Sequence, residues 1–373
     1  MQSTYRYLFG PVPSRRFGRS LGVDLTPYKT CCHDYIFCQL GRTTNKTIRR
    51  REYIPTERVI EELKHWLSSD GQADYITLSG SGEPTLHTGF GKILEFIRTN
   101  TDVPAALLTN GAMLYLPAVR QAASTANVVK VSLSAWNQAL FTWMNRPSRQ
   151  LRFEQVIDGQ KKFRAQFDGR IWMEIFLIAG MNSMPADVEK IAALAKEIAP
   201  DCIQLNTAVR PPSEFFVAPL SRERMSALRH MFQPQAEIIA EFSTSHHAHV
   251  QANQDTILEM LLRRPCTATQ IADGFGMHLN EVLKYLGNLM RNDQIRTQRK
   301  KNDVYYIAAG IQVVTNVTGS VSQVVQQFSA GSLKSASSAQ TSPRFAGKTG
   351  RGMGDGRGLG GGGRGKGSGG LPK

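Results

Sequence analysis

The sequence lacks any apolar run approaching the roughly twenty residues that a membrane-spanning helix needs, and its first residues contain no apolar signal stretch. Its five cysteines are odd in number, which argues against a disulfide framework. Three of them, Cys31, Cys32 and Cys38, fall within eight residues, which favours metal binding in a reducing compartment. We therefore expect a cytoplasmic protein with no membrane partner.

The chain also has little acidic charge for its length. Its 373 residues carry 45 lysines and arginines against 30 aspartates and glutamates, a formal net charge of +15. A basic protein attracts anionic partners, and RNA or DNA is the first to consider. A hydrophobic content of 41% indicates a globular chain, and its length predicts one large and one small domain.

Short apolar runs alternate with amphipathic stretches through the first two thirds of the chain, which indicates repeated βα units and a mostly parallel sheet. We predict an α/β fold, a partial (β/α)6 barrel, within residues 1–250. The predicted strands lie at residues 21–25, 75–79, 105–109, 128–132, 173–178 and 203–206.

Polar or glycine-rich residues follow four of these predicted strands. They lie at residues 79–83, 109–111, 132–134 and 204–206. Ligands of such folds gather at the carboxyl ends of the strands, so these segments are the candidate binding residues.

A second domain is predicted at residues 251–309. Amphipathic stretches, a glycine turn and a basic segment before a strand-like run at residues 304–307 indicate three helices and a β hairpin, a small α+β winged helix-turn-helix domain. One interpretation places the helix at residues 280–289 in a DNA major groove, with residues 299–301 on phosphates. The other makes the domain a holder of a substrate or protein partner.

Residues 310–373 form a low-complexity tail rich in Gly, Arg and Ser, with too few apolar residues to fold. We predict that this tail is disordered. Its arginine–glycine pairs are typical of segments that bind RNA, although a solubilising or spacer role fits equally well.

Three segments carry a family resemblance: Phe-Gly-Pro-Val-Pro-Ser-Arg-Arg at residues 9–16, Leu-Gly-Val-Asp at 21–24, and Cys-Cys-His-Asp-Tyr-Ile-Phe-Cys-Gln-Leu-Gly at 31–41. They resemble the radical S-adenosylmethionine (radical SAM) proteins, in an uncharacterised iron–sulfur oxidoreductase group allied to the wyosine tRNA-modifying synthases. The resemblance spans residues 7–210. It implies a [4Fe–4S] cluster on a Cys-x3-Cys-x2-Cys loop and S-adenosylmethionine, cleaved reductively to a 5′-deoxyadenosyl radical that abstracts a substrate hydrogen.

The same resemblance implies roles for individual residues. Cys31 matches the first cluster ligand, Cys38 the third, and Phe37 the aromatic residue beside the adenine. Further cofactor contacts are implied for Gly80, Gly82, Glu83, Asn110, Ser132 and Ser134. The implied partners are S-adenosylmethionine, a reductant such as ferredoxin or flavodoxin, and an unidentified substrate, with RNA as one candidate.

The sequence departs from the family at the middle ligand, where Tyr35 replaces cysteine. The cluster is then impaired or absent, or Cys32 takes the place after a loop rearrangement, or Tyr35 or His33 serves, although a phenolate is a hard donor for iron–sulfur chemistry. Two functions follow. The chain is a radical SAM oxidoreductase or transferase, or it is a cluster-impaired, non-catalytic protein that binds nucleic acid or regulates.

Overall fold

The computed structural model describes residues 5–14, 16–69, 71–239, 253–300 and 303–309. All of them fall within one compact unit, Met1–Val317. The predicted tail at residues 310–373 lies outside the described residues. Within the described ranges no helix is long and apolar enough to cross a membrane.

Strands β1 to β12 are, in chain order, Leu8–Ser14, Gly18–Val23, Thr30–Cys31, Asn45–Lys46, Tyr75–Leu78, Ala105–Leu108, Val128–Leu133, Arg170–Leu177, Cys202–Thr207, Glu237–Ile238, Ile295–Lys300 and Asp303–Ala308. Eight of them form the principal sheet, in the order β1-β2-β5-β6-β7-β8-β9-β10. Neighbouring strands from β2 to β10 run parallel, and β1 lies antiparallel to β2 at one edge.

Helices α1 to α10 are Thr56–Ser68, Phe90–Asn100, Pro117–Ala123, Gln138–Asn145, Phe153–Gln166, Pro185–Ile198, Arg222–Leu228, Gln254–Arg263, Ala268–Phe275 and Leu279–Arg291. Three short 3-10 helices lie at Pro84–Leu86, Ala112–Tyr115 and Arg229–Met231. One or two α-helices connect each pair of successive parallel strands from β2 to β10, as a parallel sheet requires. The α/β class and the six predicted parallel strands are confirmed.

The residues of strand β8 alternate between the apolar core and the cavity. Ile171, Met173, Ile175 and Leu177 alternate along it, and all are buried in the main apolar core. Successive side chains of a strand point to opposite faces, so Glu174 and Phe176 point to the other face. That face lines the cavity described below.

Strand β1 was not predicted, and its composition explains why. Two prolines within Leu8–Ser14 argue against a central strand, because proline has no amide hydrogen to donate to a neighbouring strand. An edge strand tolerates them because it is paired on one side only. The pairing with β2 also shifts register between Phe9 and Val12.

The C-terminal module, defined here as α8 to α10 with the antiparallel pair β11–β12, has its own apolar core around Ile257, Leu261 and Leu286. The module makes hydrogen bonds to both ends of the open principal sheet. The amide of Gly10 in β1 donates to Glu259 (2.9 Å), and the phenol of Tyr305 donates to the Val209 carbonyl just after β9 (3.0 Å). The module therefore bridges the two ends of the open sheet.

Candidate functional site

The cysteine loop follows β2 and is held by backbone bonds on both sides. The amide of Ile36, which is fully buried, donates to the Met144 carbonyl (3.0 Å), and that of Asp34 donates to the Asn145 carbonyl (3.0 Å). The short parallel pair β3–β4 fixes the backbone at Cys31. These contacts hold the loop above the carboxyl ends of the strands.

Cys31 and Cys38 both line a cavity of about 350 Å³ at these strand ends. The Lys29 ammonium donates to the Cys38 sulfur (3.1 Å).

Tyr35, at the middle-ligand position, also lines the cavity, and its hydroxyl lies 2.8 Å from Nδ1 of His33. Burial, reinforced by the neighbouring thiols and Glu83, raises the pKa of Tyr35 well above its ordinary value, so the phenol keeps its proton. Burial lowers the pKa of His33 to about 3, so this imidazole is neutral. Its Nε2 atom is buried without a hydrogen-bond partner.

Cys32 does not line the cavity. Its side chain is fully buried in the apolar core, and its sulfur accepts a hydrogen bond from the Asn110 amide (3.1 Å). Adjacent residues point in different directions, and here Cys31 faces the cavity while Cys32 faces away. A ligand role for Cys32 stays a prediction that requires the loop to rearrange.

The glycine segment, residues 80–82, packs directly under the cysteine loop. The Lys29 amide donates to the Ser81 carbonyl (2.9 Å), and the Glu83 amide donates to the Thr30 carbonyl (3.0 Å). A Cβ on Gly82 would lie 2.0 Å from the Thr30 carbonyl oxygen, a distance that real Cβ atoms do not adopt. Glycine is required here because two backbones meet.

Gly82→Ala is therefore expected to destabilise the protein by about 1–3 kcal/mol, the usual cost of overpacking a tight contact. Gly287→Ala is the matched control, because a Cβ there meets nothing closer than 3.8 Å in the middle of α10. Removing a helical glycine should stabilise by about 0.5–1 kcal/mol. Urea unfolding of both variants checks the pair, and equal midpoints would contradict the close contact.

The carboxylate of Glu83 is engaged entirely by protein donors. It accepts hydrogen bonds from the Thr109 hydroxyl (2.5 Å), the Asn110 amide (2.9 Å), and the amide and hydroxyl of Thr85. Burial raises its pKa, against the effect of these donors. Glu83 lines the cavity, but the bonds that it makes tie the glycine segment to the end of β6.

The remaining predicted residues also reach the cavity. Phe37 stacks on Phe176 of β8, with ring centroids 4.1 Å apart and planes at 14°. Ser132 lines the wall, and the Ser134 hydroxyl donates to the Asn145 side chain (2.9 Å). The predicted cofactor residues that line the cavity together are Phe37, Gly80, Gly82, Glu83, Asn110, Ser132 and Ser134.

Sequence reasoning missed an ion network in the same cavity. Glu174 bonds to Arg16 and to Lys130, and Asn206 donates to it (2.8 Å). The signal was present: Lys130 and Glu174 are charged residues at alternating positions of otherwise apolar strands, β7 and β8, where a polar side chain must face an interior site.

The donor set decides whether a three-thiolate cluster fits. Two thiols face the cavity, and the third position offers a protonated phenol. Over the described ranges, no group of three or more His, Cys, Asp or Glu side chains is arranged to hold a metal ion. The residues present therefore do not fit a [4Fe–4S] cluster held by three cysteines.

Residues 25–195 match the family model described as Radical SAM superfamily. The matched segment holds the cysteine loop and strands β5 to β8. Members of that superfamily are generally enzymes that bind a [4Fe–4S] cluster and S-adenosylmethionine.

The chain is also similar to proteins named UPF0026. A UPF0026 protein of Helicobacter pylori (strain 26695) is 31% identical over 310 residues, 81% of this chain and 97% of that protein. One of Methanocaldococcus jannaschii is 32% identical over 226 residues, 60% of this chain and 70% of that protein. The chain belongs to the UPF0026 family.

A protein named GTPase Obg of Brachyspira hyodysenteriae is 33% identical over 295 residues, 78% of this chain. The chain spans only 43% of that relative's length. Among solved structures, a radical SAM methyltransferase of Sphaerobacter thermophilus aligns with a TM-score of 0.43 at 17% identity, over 63% of this chain and 70% of that one.

Proposed function

We propose that this chain binds S-adenosylmethionine in the cavity and acts as a regulatory or binding protein, without cleaving the cofactor reductively. One observation carries the proposal: the cavity gathers the cofactor residues implied by the family, while Tyr35 stands where the middle cluster thiolate would be. The site is suited to holding the cofactor and unsuited to holding the cluster that would reduce it.

The cavity offers the surfaces that S-adenosylmethionine needs. The stacked rings of Phe37 and Phe176 present an aromatic face for the adenine. The glycine segment, residues 80–82, would contact the methionine part, and Ser132 near the end of β7 would contact the ribose or the carboxylate, since all of these residues line the cavity. Bound cofactor would supply a sulfonium and a nucleoside, and the chain's residues orient both.

The test compares binding of S-adenosylmethionine to the wild type and to Phe37→Ala by isothermal titration calorimetry. Loss of the stacked ring should weaken binding by roughly tenfold, since an aromatic pair contributes about 0.5–1.5 kcal/mol beyond its buried area. Phe215→Ala is the control, because that ring is 52% exposed and does not line the cavity. Equal affinities for all three proteins would reject the assignment.

A second measurement addresses cleavage. After anaerobic reconstitution and treatment with dithionite, the wild type should release no 5′-deoxyadenosine. Its appearance would overturn the non-catalytic proposal and restore the radical enzyme, together with its reductant partner. The wyosine link and an RNA substrate stay predictions.

In this proposal the C-terminal module packs against the barrel and does not bind DNA. The Lys300 ammonium, which the winged-helix hypothesis places on DNA phosphates, donates to the carbonyls of Ala208 and Arg210. Helix α10 exposes Leu279, Leu283 and Met290 on one stripe, which is not the polar surface that reads base edges. The winged-helix assignment itself stays a prediction.

A further inference from the structure

Two basic segments, residues 42–51 and 145–153, lie against the cysteine loop. Amides of both segments donate to carbonyls of the loop at distances of 2.9 and 3.0 Å. The Lys46 ammonium joins the segments, because it donates to the Arg146 carbonyl (3.1 Å). Together the two segments contain eight lysines and arginines and no aspartate or glutamate. The surroundings of the loop are therefore strongly basic.

Two of these basic side chains are compensated by carboxylates from other segments. Arg42 bonds to Asp34 and to Glu214 (2.9 and 2.8 Å), and Arg146 also bonds to Glu214. These two carboxylates equal the two guanidinium groups in charge. They leave no anion over for the other cations of the two segments.

Three further cations of these segments are exposed to solvent: Lys46, Arg49 and Arg149. Within the described ranges, none of the three makes an ion pair with a carboxylate. Exposed basic groups without a protein anion can neutralise the phosphates of a nucleic acid and release its counterions. The chemistry of this surface thus fits a phosphodiester backbone.

An exposed aromatic ring lies at the edge of the same basic surface. Phe215 is 52% exposed and directly follows Glu214, the carboxylate that bonds to Arg146. The amide of Glu214 donates to a carbonyl of the cysteine loop (3.1 Å), which fixes the backbone beside the ring. The ring also packs against Phe216, with centroids 5.6 Å apart and planes at 81°. Phe215 is therefore held beside the basic groups with much of its surface open to solvent.

We infer that the loop surface, defined here as Lys46, Arg49, Arg149 and Phe215, binds single-stranded nucleic acid. A basic surface with an exposed aromatic ring is the arrangement that binds single strands, since phosphates meet the cations and a base stacks on the ring. A single strand is favoured over a duplex because its bases expose their faces. RNA and DNA share both groups. The four residues are not among the described residues that line the cavity, so this binding goes beyond the proposed function and does not depend on the cofactor.

The test measures fluorescence anisotropy of labelled oligouridylate and oligothymidylate, each of about twelve nucleotides, with the full chain. The wild type should bind at least one of them, and tighter binding of the uridylate would identify RNA. Arg49→Gln and Arg149→Gln should each reduce the slope of log K against log salt by about 0.7 between about 50 and 200 mM salt. Arg49→Lys, which keeps the charge, should keep the slope.

Phe215→Ala should weaken binding by about fivefold or more, because it removes the ring on which a base stacks. Two matched variants should bind as the wild type does. Arg170→Gln removes an exposed arginine at the amino end of β8, at the opposite edge of the sheet from the cysteine loop. Leu283→Ala removes an apolar side chain of α10 that is 43% exposed.

Absence of binding of both oligonucleotides to the wild type at low salt would overturn the inference. So would equal binding by Arg149→Gln, Phe215→Ala and Arg170→Gln, since the strand would then bind to another part of the chain. Binding of vesicles of phosphatidylglycerol and phosphatidylcholine without binding of either oligonucleotide would assign the surface to a membrane and contradict the inference. Circular dichroism checks the folding of each variant, and if Arg49→Gln fails to fold, the slope of Arg149→Gln decides.

Discussion

Tyr35→Cys is expected to bind a stable iron–sulfur cluster after anaerobic reconstitution, while the natural sequence loads little iron. The replacement puts a third thiol on the loop that already presents Cys31 and Cys38 to the cavity. Soft thiolates suit iron–sulfur clusters, and a protonated phenol does not. Iron and sulfide content per chain, together with absorbance at about 400 nm, measures the amount of cluster bound.

Two controls make this result specific. Tyr35→Phe removes the phenol oxygen without adding a thiol, so it should load no more iron than the wild type. Tyr35→Cys combined with Cys32→Ser should retain the cluster, because the Cys32 sulfur is buried against Asn110. Equal loading of the wild type and Tyr35→Cys would instead show that Cys32 or His33 completes the natural site.

The parallel sheet could be predicted from the sequence because its signal is local. The run in β6 is continuous and apolar, as is typical of strands covered on both faces, and amphipathic stretches separate the strands. The strand ends then follow from the strands. This is why residues as distant in sequence as Gly80, Asn110 and Ser132 could be assigned to one cavity.

The direction of individual side chains on the cysteine loop could not be predicted. No periodicity governs a loop, so nothing in the sequence shows that Cys31 faces the cavity and Cys32 the core. The backbone bonds of Ile36 and Asp34 to residues 144 and 145 set that orientation, and those partners are more than one hundred residues away.

Contacts between the C-terminal module and the barrel could not be predicted from the sequence either. One interpretation of the sequence placed residues 299–301 on DNA phosphates, and the sequence indicated no role for Arg263. In the structure Lys300 bonds to barrel carbonyls and Arg263 lines the cavity. Long basic side chains carry no mark of their partner in the sequence. The hydrogen bonds of Lys300 to the barrel and the packing of α8 on β1 show that these charges belong to the interior.

Glu174 holds together the charged floor of the cavity. Burial alone would raise its pKa, but the charges of Arg16 and Lys130 and the hydrogen bonds from Lys130 and Asn206 outweigh that effect, so its pKa lies well below its ordinary value of 4.5. A carboxylate with a lowered pKa stabilises the folded state above its unfolded pKa, and this stabilisation is lost as the pH falls. The network is therefore intact at neutral pH and weakens in acid.

Glu174→Ala is expected to lower the free energy of unfolding by about 3–5 kcal/mol at pH 7, because it strands Arg16 and Lys130 as buried charges without their anion. Glu95→Ala, which removes an exposed pair with Arg98, should cost less than about 1 kcal/mol. Urea unfolding gives both values. Glu174→Gln should approach the wild type in stability as the pH falls from 5 towards 2, since the carboxylate of the unfolded wild-type chain becomes protonated in this range and the stabilisation of the folded state is lost. A gap between these two proteins that stays constant across this range would show that Glu174 contributes through its shape and not through its charge.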